Sequence, residues 1–159
     1  MTKILKVLLI LSFAALISCS EEKANSTTKD IVELNENGAG EKVGTITVTE
    51  TADGISIEVS ATGLNEDANG NTVIGGGLGG HWDPDNTGTH AGPEGDGHRG
   101  DLDALTINED GSISQTVVSS KIKYSDVAGR SFVIHANPDN YTDNPVNGGS
   151  GARLYVAIF

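Results

Sequence analysis

The chain has 159 residues, 22 acidic against 10 basic for a formal charge of −12, with 21 glycines and only 4% aromatic residues. That length holds one domain and a short tail. The negative charge excludes a nucleic-acid partner and electrostatic adhesion to an anionic membrane. A single cysteine excludes an internal disulfide and a cysteine-based zinc ribbon, and with Met1 as the one methionine there is no thioether copper site. Glycine at close to twice its ordinary share of about 7% favours β structure with long ordered loops over a helical bundle.

The N-terminus reads as an address. Lys3 and Lys6 precede an apolar run, Val7 to Ile17, that is too short to span a bilayer. It ends in Leu16-Ile17-Ser18-Cys19. This resembles a bacterial lipoprotein signal: residues 1–18 are removed and Cys19 becomes the acylated first residue. An ordinary secretory signal with an unrelated cysteine nearby is the competing reading. Lipidation implies a membrane attachment through acyl chains alone, in the cell envelope, on the outer membrane or the cell surface. Loss of Lys3 and Lys6 leaves the mature protein more acidic still. Residues 19–30 are polar and without period, and read as a flexible tether.

The domain proper, 31–159, alternates with period two. Ile31 and Val32 begin a short strand. Gly44, Ile46 and Val48 alternate with Thr45, Thr47 and Thr49. After a turn at Asp53-Gly54, Ile55, Ile57, Val59 and Ala61 alternate with polar residues. These predict a hairpin with one wet and one buried face. A second hairpin is predicted from Leu105-Thr106-Ile107, a turn at Asp110-Gly111, and Ile113 to Val118. Arg130–Ala136 and Arg153–Phe159 are two further strands. No segment carries an apolar 3.6 period, so the pattern predicts an all-β antiparallel sandwich or barrel. Residues 65–104 and 137–152 break the pattern. They are rich in Gly, Asn, Asp and Pro, and loops of that length are usually functional or disordered.

All four histidines lie in or beside those loops: His81, His90, His98 and His135. Three histidines and Asp101 within 21 positions supply four N/O ligands, the number zinc takes tetrahedrally. His98 and Asp101, three apart, can be presented by one turn of chain. The competing reading is solvent-facing histidines in an acidic loop.

Five motifs carry a resemblance: Gly-Gly-His81-Trp-Asp-Pro, Thr-His90-Ala-Gly-Pro, Gly-Asp-Gly-His98-Arg-Gly-Asp101-Leu, Val-Ile-His135-Ala and Gly-Ser-Gly-Ala-Arg153-Leu. In this order and spacing they resemble the copper/zinc superoxide dismutases from about Ile31 to Phe159. The resemblance implies an eight-stranded antiparallel Greek-key barrel with its metals held outside the barrel wall. It implies that His81 bridges copper and zinc, that His90, His98 and Asp101 complete the zinc site, and that His135 is a copper ligand. Asp139 becomes a carboxylate behind the ligands, linking the two sites. Arg153 becomes the cation that meets superoxide at the copper channel. Independently of the resemblance, Phe132, Ile134 and Ala136 share one strand face, which puts His135 on the other.

The departures are specific. The family carries His-x-His on the strand after the Gly-Leu turn, here Gly63-Leu64, and both histidines bind copper. Without a gap, those positions fall on Thr72 and Ile74. The loop cysteine of the family is gone with its loop, and its partner position falls on Val156. Zinc is d¹⁰ and cannot cycle an electron, and copper is left with His81 and His135. Lys121, Lys123 and Arg130 are either cations that steer superoxide toward Arg153 or plain solvated surface. Three readings follow: a zinc-binding lipoprotein of the family with doubtful dismutation, an active dismutase with a reduced copper site, or a non-catalytic surface interaction module. The sequence leaves both monomer and dimer open.

Overall fold

The computed structural model describes residues 23–35, 38–64, 71–76 and 79–159. The lipoprotein signal and Cys19 lie outside the described residues. Eight strands follow in chain order: β1 (Ser26–Asn35), β2 (Gly38–Thr51), β3 (Gly54–Ala61), β4 (Asn71–Gly76), β5 (Asp101–Ala104), β6 (Ile113–Ser119), β7 (Arg130–His135) and β8 (Arg153–Ile158). They form one curled antiparallel sheet in the order β5-β4-β7-β8-β1-β2-β3-β6. The expected all-β architecture is therefore what the chain adopts. No described helix is long and apolar enough to cross a membrane.

The period-two pattern sets the wall of the barrel. Ile46 pairs with Val59 and Val48 with Ile57, and all four are buried. Directly opposed residues in an antiparallel ladder share a face, so one set of alternate side chains packs inward while the other meets water. On the outer face the hydroxyls bond across the strands, Thr28 to Thr47 at 2.8 Å and Ser26 to Thr49 at 3.0 Å. From the other half of the sheet, Phe132, Ile134, Tyr155 and Ala157 complete the same core.

Three elements differ from the sequence reading. The segment read as tether up to residue 30 is strand from Ser26, because Ser26–Asp30 pair with Thr45–Thr49 along the edge of β2. Apolar periodicity could not reveal this, since these residues contribute ladder bonds and outer-face hydroxyls. Residues 71–76, inside the segment read as loop, form β4, which pairs with β7 from Thr72↔Ile134 to Gly76↔Arg130. Its apolar core of Val73 and Ile74 is too short for alternation to register. The second hairpin does not form as predicted. The turn at Asp110-Gly111 closes, with Asn108 N–H on Ser112 O at 2.9 Å. However, Leu105–Ile107 is not strand, and β6 pairs with β3 instead. The two ends of the sheet meet through a side chain: Gln115 of β6 accepts from Thr106 N–H at 2.8 Å and donates to Ala104 O at 3.0 Å.

Candidate metal centre

The long loops fold back onto the outside of β4, β5, β7 and β8. β7 explains why a histidine can stand there. Phe132 and Ile134 point into the core, and His135, on the opposite face, is buried under loop 137–152 rather than by the barrel. Its Nδ1 faces Gly151 O at 3.4 Å. Burial lowers the His135 pKa from its ordinary 6.5 to about 4, so the ring is neutral at physiological pH.

The loop between β4 and β5 brings the other three histidines together. Its backbone is closed by His98 N–H on Thr89 O, Gly100 N–H on Trp82 O and Asp101 N–H on His98 O, at 3.0–3.3 Å. Gly97 makes the first closure workable, because a Cβ there would stand 2.4 Å from Thr89 O. The rings of His81 and His90 lie 4.6 Å apart, as do those of His90 and His98. Asp101, the first residue of β5, is fully buried and sets its Oδ1 2.8 Å from His81 Nδ1 and 3.3 Å from His98 Nδ1. Its Oδ2 accepts from Ala91 N–H at 3.1 Å. Burial opposes ionisation of Asp101, but the bond from His81, the Ala91 amide and the charges of His81 and His98 outweigh it and hold its pKa below the usual range.

Asp139 reaches in from loop 137–152. Its Oδ1 accepts from Tyr141 N–H at 2.6 Å. Its Oδ2 lies 3.9 Å from His81 Nδ1 and 3.8 Å from His90 Nε2. Gly148, at φ +64°, cradles this carboxylate, and a Cβ there would sit 2.3 Å from Asp139 Oδ1. Gly148→Ala is therefore expected to destabilise the protein by about 1–3 kcal/mol through strain and displacement of Asp139. Urea unfolding of the variant measures it, and an unchanged midpoint would show that the cradle is not needed.

The chemistry of this donor set is that of a metal site. One donor atom each from His81, His90 and His98 lies within 4.8 Å of the others, and so does one each from His81, Asp101 and Asp139. Three buried polar atoms at this point have no hydrogen-bond partner: His90 Nε2, His98 Nδ1 and Asp139 Oδ2. Leaving such groups buried and unpaired costs about 1–3 kcal/mol each. A divalent cation satisfies them together, and zinc accepts imidazole nitrogen and carboxylate oxygen alike. The residues present fit zinc.

The neighbouring copper position fits less well. The rings of His81 and His135 lie 6.2 Å apart at the floor of a cleft of about 680 Å³, which Arg153 also lines. Thr72 and Ile74 offer no imidazole, and their ladder positions are those opposite Ile134 and Phe132. Among the described residues no third histidine accompanies His135.

Two of the three cations considered for steering, Lys121 and Arg130, are engaged otherwise. Lys121 Nζ donates to three carbonyls of the metal loop, Gly92 at 3.2 Å, Gly95 at 2.7 Å and His98 at 3.2 Å. Arg130 stacks on the buried Trp82, 4.4 Å from the ring centre, and donates to Asp126 O at 2.7 Å. Arg153 donates to Gly79 O at 2.7 Å at the rim of the cleft. Lys121 thus acts as a tie for the loop that carries His90 and His98, a role its position 23 residues from His98 hides. Removing three partly buried, charge-assisted bonds in Lys121→Met is expected to lower stability by about 2–3 kcal/mol. Thermal unfolding checks this; a loss under about 0.5 kcal/mol would return Lys121 to ordinary surface.

Comparison with known proteins agrees with the geometry. Residues 42–159 match the copper/zinc superoxide dismutase (SODC) family. The chain is 37% identical over 153 residues to superoxide dismutase [Cu-Zn] of Brucella abortus, covering 85% of this chain and 88% of that protein. The solved structure of the Cu/Zn superoxide dismutase from Brucella abortus superposes with a TM-score of 0.74 at 35% identity, over 84% of this chain and 99% of that one. A SOD-like protein from Bacillus subtilis superposes with a TM-score of 0.66 at 27% identity, over 83% and 97%. The shared barrel, the three-histidine cluster with Asp101 and the match over the whole domain have one meaning: this chain belongs to the copper/zinc superoxide dismutase family.

Proposed function

We propose that this protein is an envelope lipoprotein of the family that holds one zinc ion through His81, His90, His98 and Asp101, with little or no superoxide dismutation. The observation that carries this reading is the pair of orphaned buried imidazole nitrogens, His98 Nδ1 beside Asp101 and His90 Nε2 beside Asp139. Zinc bound there neutralises the buried carboxylate and joins the loop 79–100 to β5. Four protein ligands leave no open position, so the role of that ion is structural. His81 stands between the two positions and would be shared with any copper. His135 is buried, neutral and turned into the cleft, and Asp139 Oδ2 stands within 4 Å of both His81 Nδ1 and His90 Nε2. Copper would supply the electron transfer that zinc cannot, and Arg153 is placed to meet an anion at the cleft.

Cys19 as the lipidated residue, residues 1–18 as its signal and the cell envelope as the location rest on the Lys3/Lys6 and Val7–Ile17 pattern. A second reading, active dismutation at His81 and His135, is favoured by the cleft that Arg153 lines beside both histidines. Metal analysis of the purified protein beside a gel activity stain separates the two. One zinc, substoichiometric copper and no activity band are expected. A strong activity band with one copper per chain would replace the first reading by the second.

A further inference from the structure

Tyr141 stands in a backbone conformation that its side chain does not favour. Its φ is +56°, and among the described residues Asn86 is the one other non-glycine with a left-handed φ. Asparagine tolerates that region, whereas a bulky aromatic keeps it only where the surrounding structure holds it there. Three contacts hold Tyr141. Its N–H donates to Asp139 Oδ1 at 2.6 Å. Its ring lies on Gly92, where a Cβ would stand 3.1 Å from Tyr141 Cγ. Its O–H donates to Leu102 O at 3.2 Å, across 39 residues of chain. Burial, and then the charges of Asp103, Asp139 and Asp101, raise the phenol pKa above its ordinary 10.0, so the O–H stays a donor.

Each contact ends beside the metal cluster. Gly92 lies two residues after His90, Leu102 follows Asp101, and Asp139 Oδ2 is within 4 Å of His81 Nδ1 and His90 Nε2. We propose that Tyr141 is a positioning residue: its side chain and its N–H hold the metal loop, the start of β5 and Asp139 together, so that the zinc site and loop 137–152 are assembled as one unit. Tyr141 does not touch the ion itself. Loop 137–152 in turn supplies Asn147, Ser150 and Gly151 to the wall of the cleft that His135 lines. Occupancy of the zinc site thereby reaches the cleft wall through Tyr141. The proposal rests on the metal reading above. The strain at position 141 makes it separable from a plain stability effect.

The test uses the full mature protein and zinc alone. Zinc affinity by chelator competition and the metal-free melting temperature are measured for wild type, Tyr141→Phe, Tyr141→Ala and Tyr141→Gly. Glycine relieves the left-handed backbone and alanine does not, so the metal-free melting temperature is expected to be higher for Tyr141→Gly than for Tyr141→Ala. Both lack the ring and the O–H, and both are expected to bind zinc more weakly than wild type by the same factor, about 10–100-fold. Tyr141→Phe keeps the ring, loses one hydrogen bond, and is expected to weaken zinc about 2–10-fold. In wild type, zinc is expected to slow hydrogen exchange of the Asn140 and Gly148 amides, which bond within loop 137–152. In Tyr141→Ala that slowing is expected to be lost. Wild-type affinity in Tyr141→Phe, affinities of the Ala and Gly variants that rank as their melting temperatures do, or undiminished slowing in Tyr141→Ala would overturn the proposal while leaving the zinc site intact. Failure of wild type to take up zinc would overturn the metal reading and this proposal with it.

Discussion

Zinc added to the metal-free protein is expected to raise its melting temperature by about 12–20 °C. A ligand that binds only the folded state, at a thousandfold its Kd, stabilises by about 4 kcal/mol. For a domain of this size, each kilocalorie per mole moves the midpoint by about 3–5 °C. The folded state binds selectively because its ligands are assembled by tertiary contacts. His81, His90 and His98 are spread along a loop, and only the closures at Thr89, Trp82 and His98 bring them to Asp101. Unfolding disperses them. Without metal the folded state must bury His90 Nε2, His98 Nδ1 and Asp139 Oδ2 unpaired, so it is weakened as well as unliganded. Zinc takes imidazole only in its neutral form and competes with protons for it, so the zinc-dependent increment is expected to shrink on acidification. Scanning calorimetry with zinc and with a chelator, at pH 7.5 and 5, measures both. A chelator that leaves the midpoint at pH 7.5 unmoved would remove the zinc site from the account.

The second expectation concerns copper, and it decides the enzymology. After loading with both metals and dialysis, the protein is expected to keep zinc, lose most of its copper, and dismutate superoxide little faster than free copper ions do. The reason is a ligand count made in space. Three of the four histidines cluster with one another, and two of them, His81 and His98, face Asp101. Only His81 can be shared, and His135 is the one histidine among the described residues outside the His81/His90/His98 cluster. Two imidazoles bind Cu(II), which heads the affinity order of divalent metals, but do not impose the geometry that sets its potential. His135 is ready for a metal over a wide range, since burial keeps it neutral down to about pH 4. An imidazole in the unfolded chain charges near 6.5. The folded state therefore loses stability as pH falls from about 6.5 toward 4, and keeps the full contribution above that window. An NMR titration of the metal-free protein should place the His135 midpoint near 4. Rapid dismutation at one retained copper per chain would show that two histidines suffice, and the protein would then be an enzyme with a reduced copper site.

Much of the centre is legible in the sequence, because its information is local. His98 and Asp101 sit three apart, so the chain presents both from one turn, and Asp101 then opens β5. The alternation of Phe132 and Ile134 around Val133 was enough to place His135 off the core face. The β2–β3 hairpin was equally readable, since Ile46, Val48, Ile55, Ile57 and Val59 all declare one buried face. Elements without an apolar face were not readable. Ser26–Asp30 joins the sheet through ladder bonds that leave no mark on composition. β4 is too short to show a period.

Charge by itself also misled. Lys121 and Arg130 are cations in the sequence, but one is tied to three loop carbonyls and the other lies on Trp82. No spacing rule predicts such contacts, because the partners come from segments more than 20 residues away.

The amino-acid sequence by itself determined the β class, the cluster of three histidines with Asp101, the want of a His-x-His pair and the acidic character of the protein. These depend on residue type and on spacing along one segment. Only the tertiary structure decided which groups stand beside the ligands. Asp139 meets His81 and His90, Gly148 gives Asp139 its place, and Tyr141 reaches Leu102 from 39 residues away. Such pairings join loops that are distant in sequence, and they form because the barrel holds the ends of both loops on one side of the sheet.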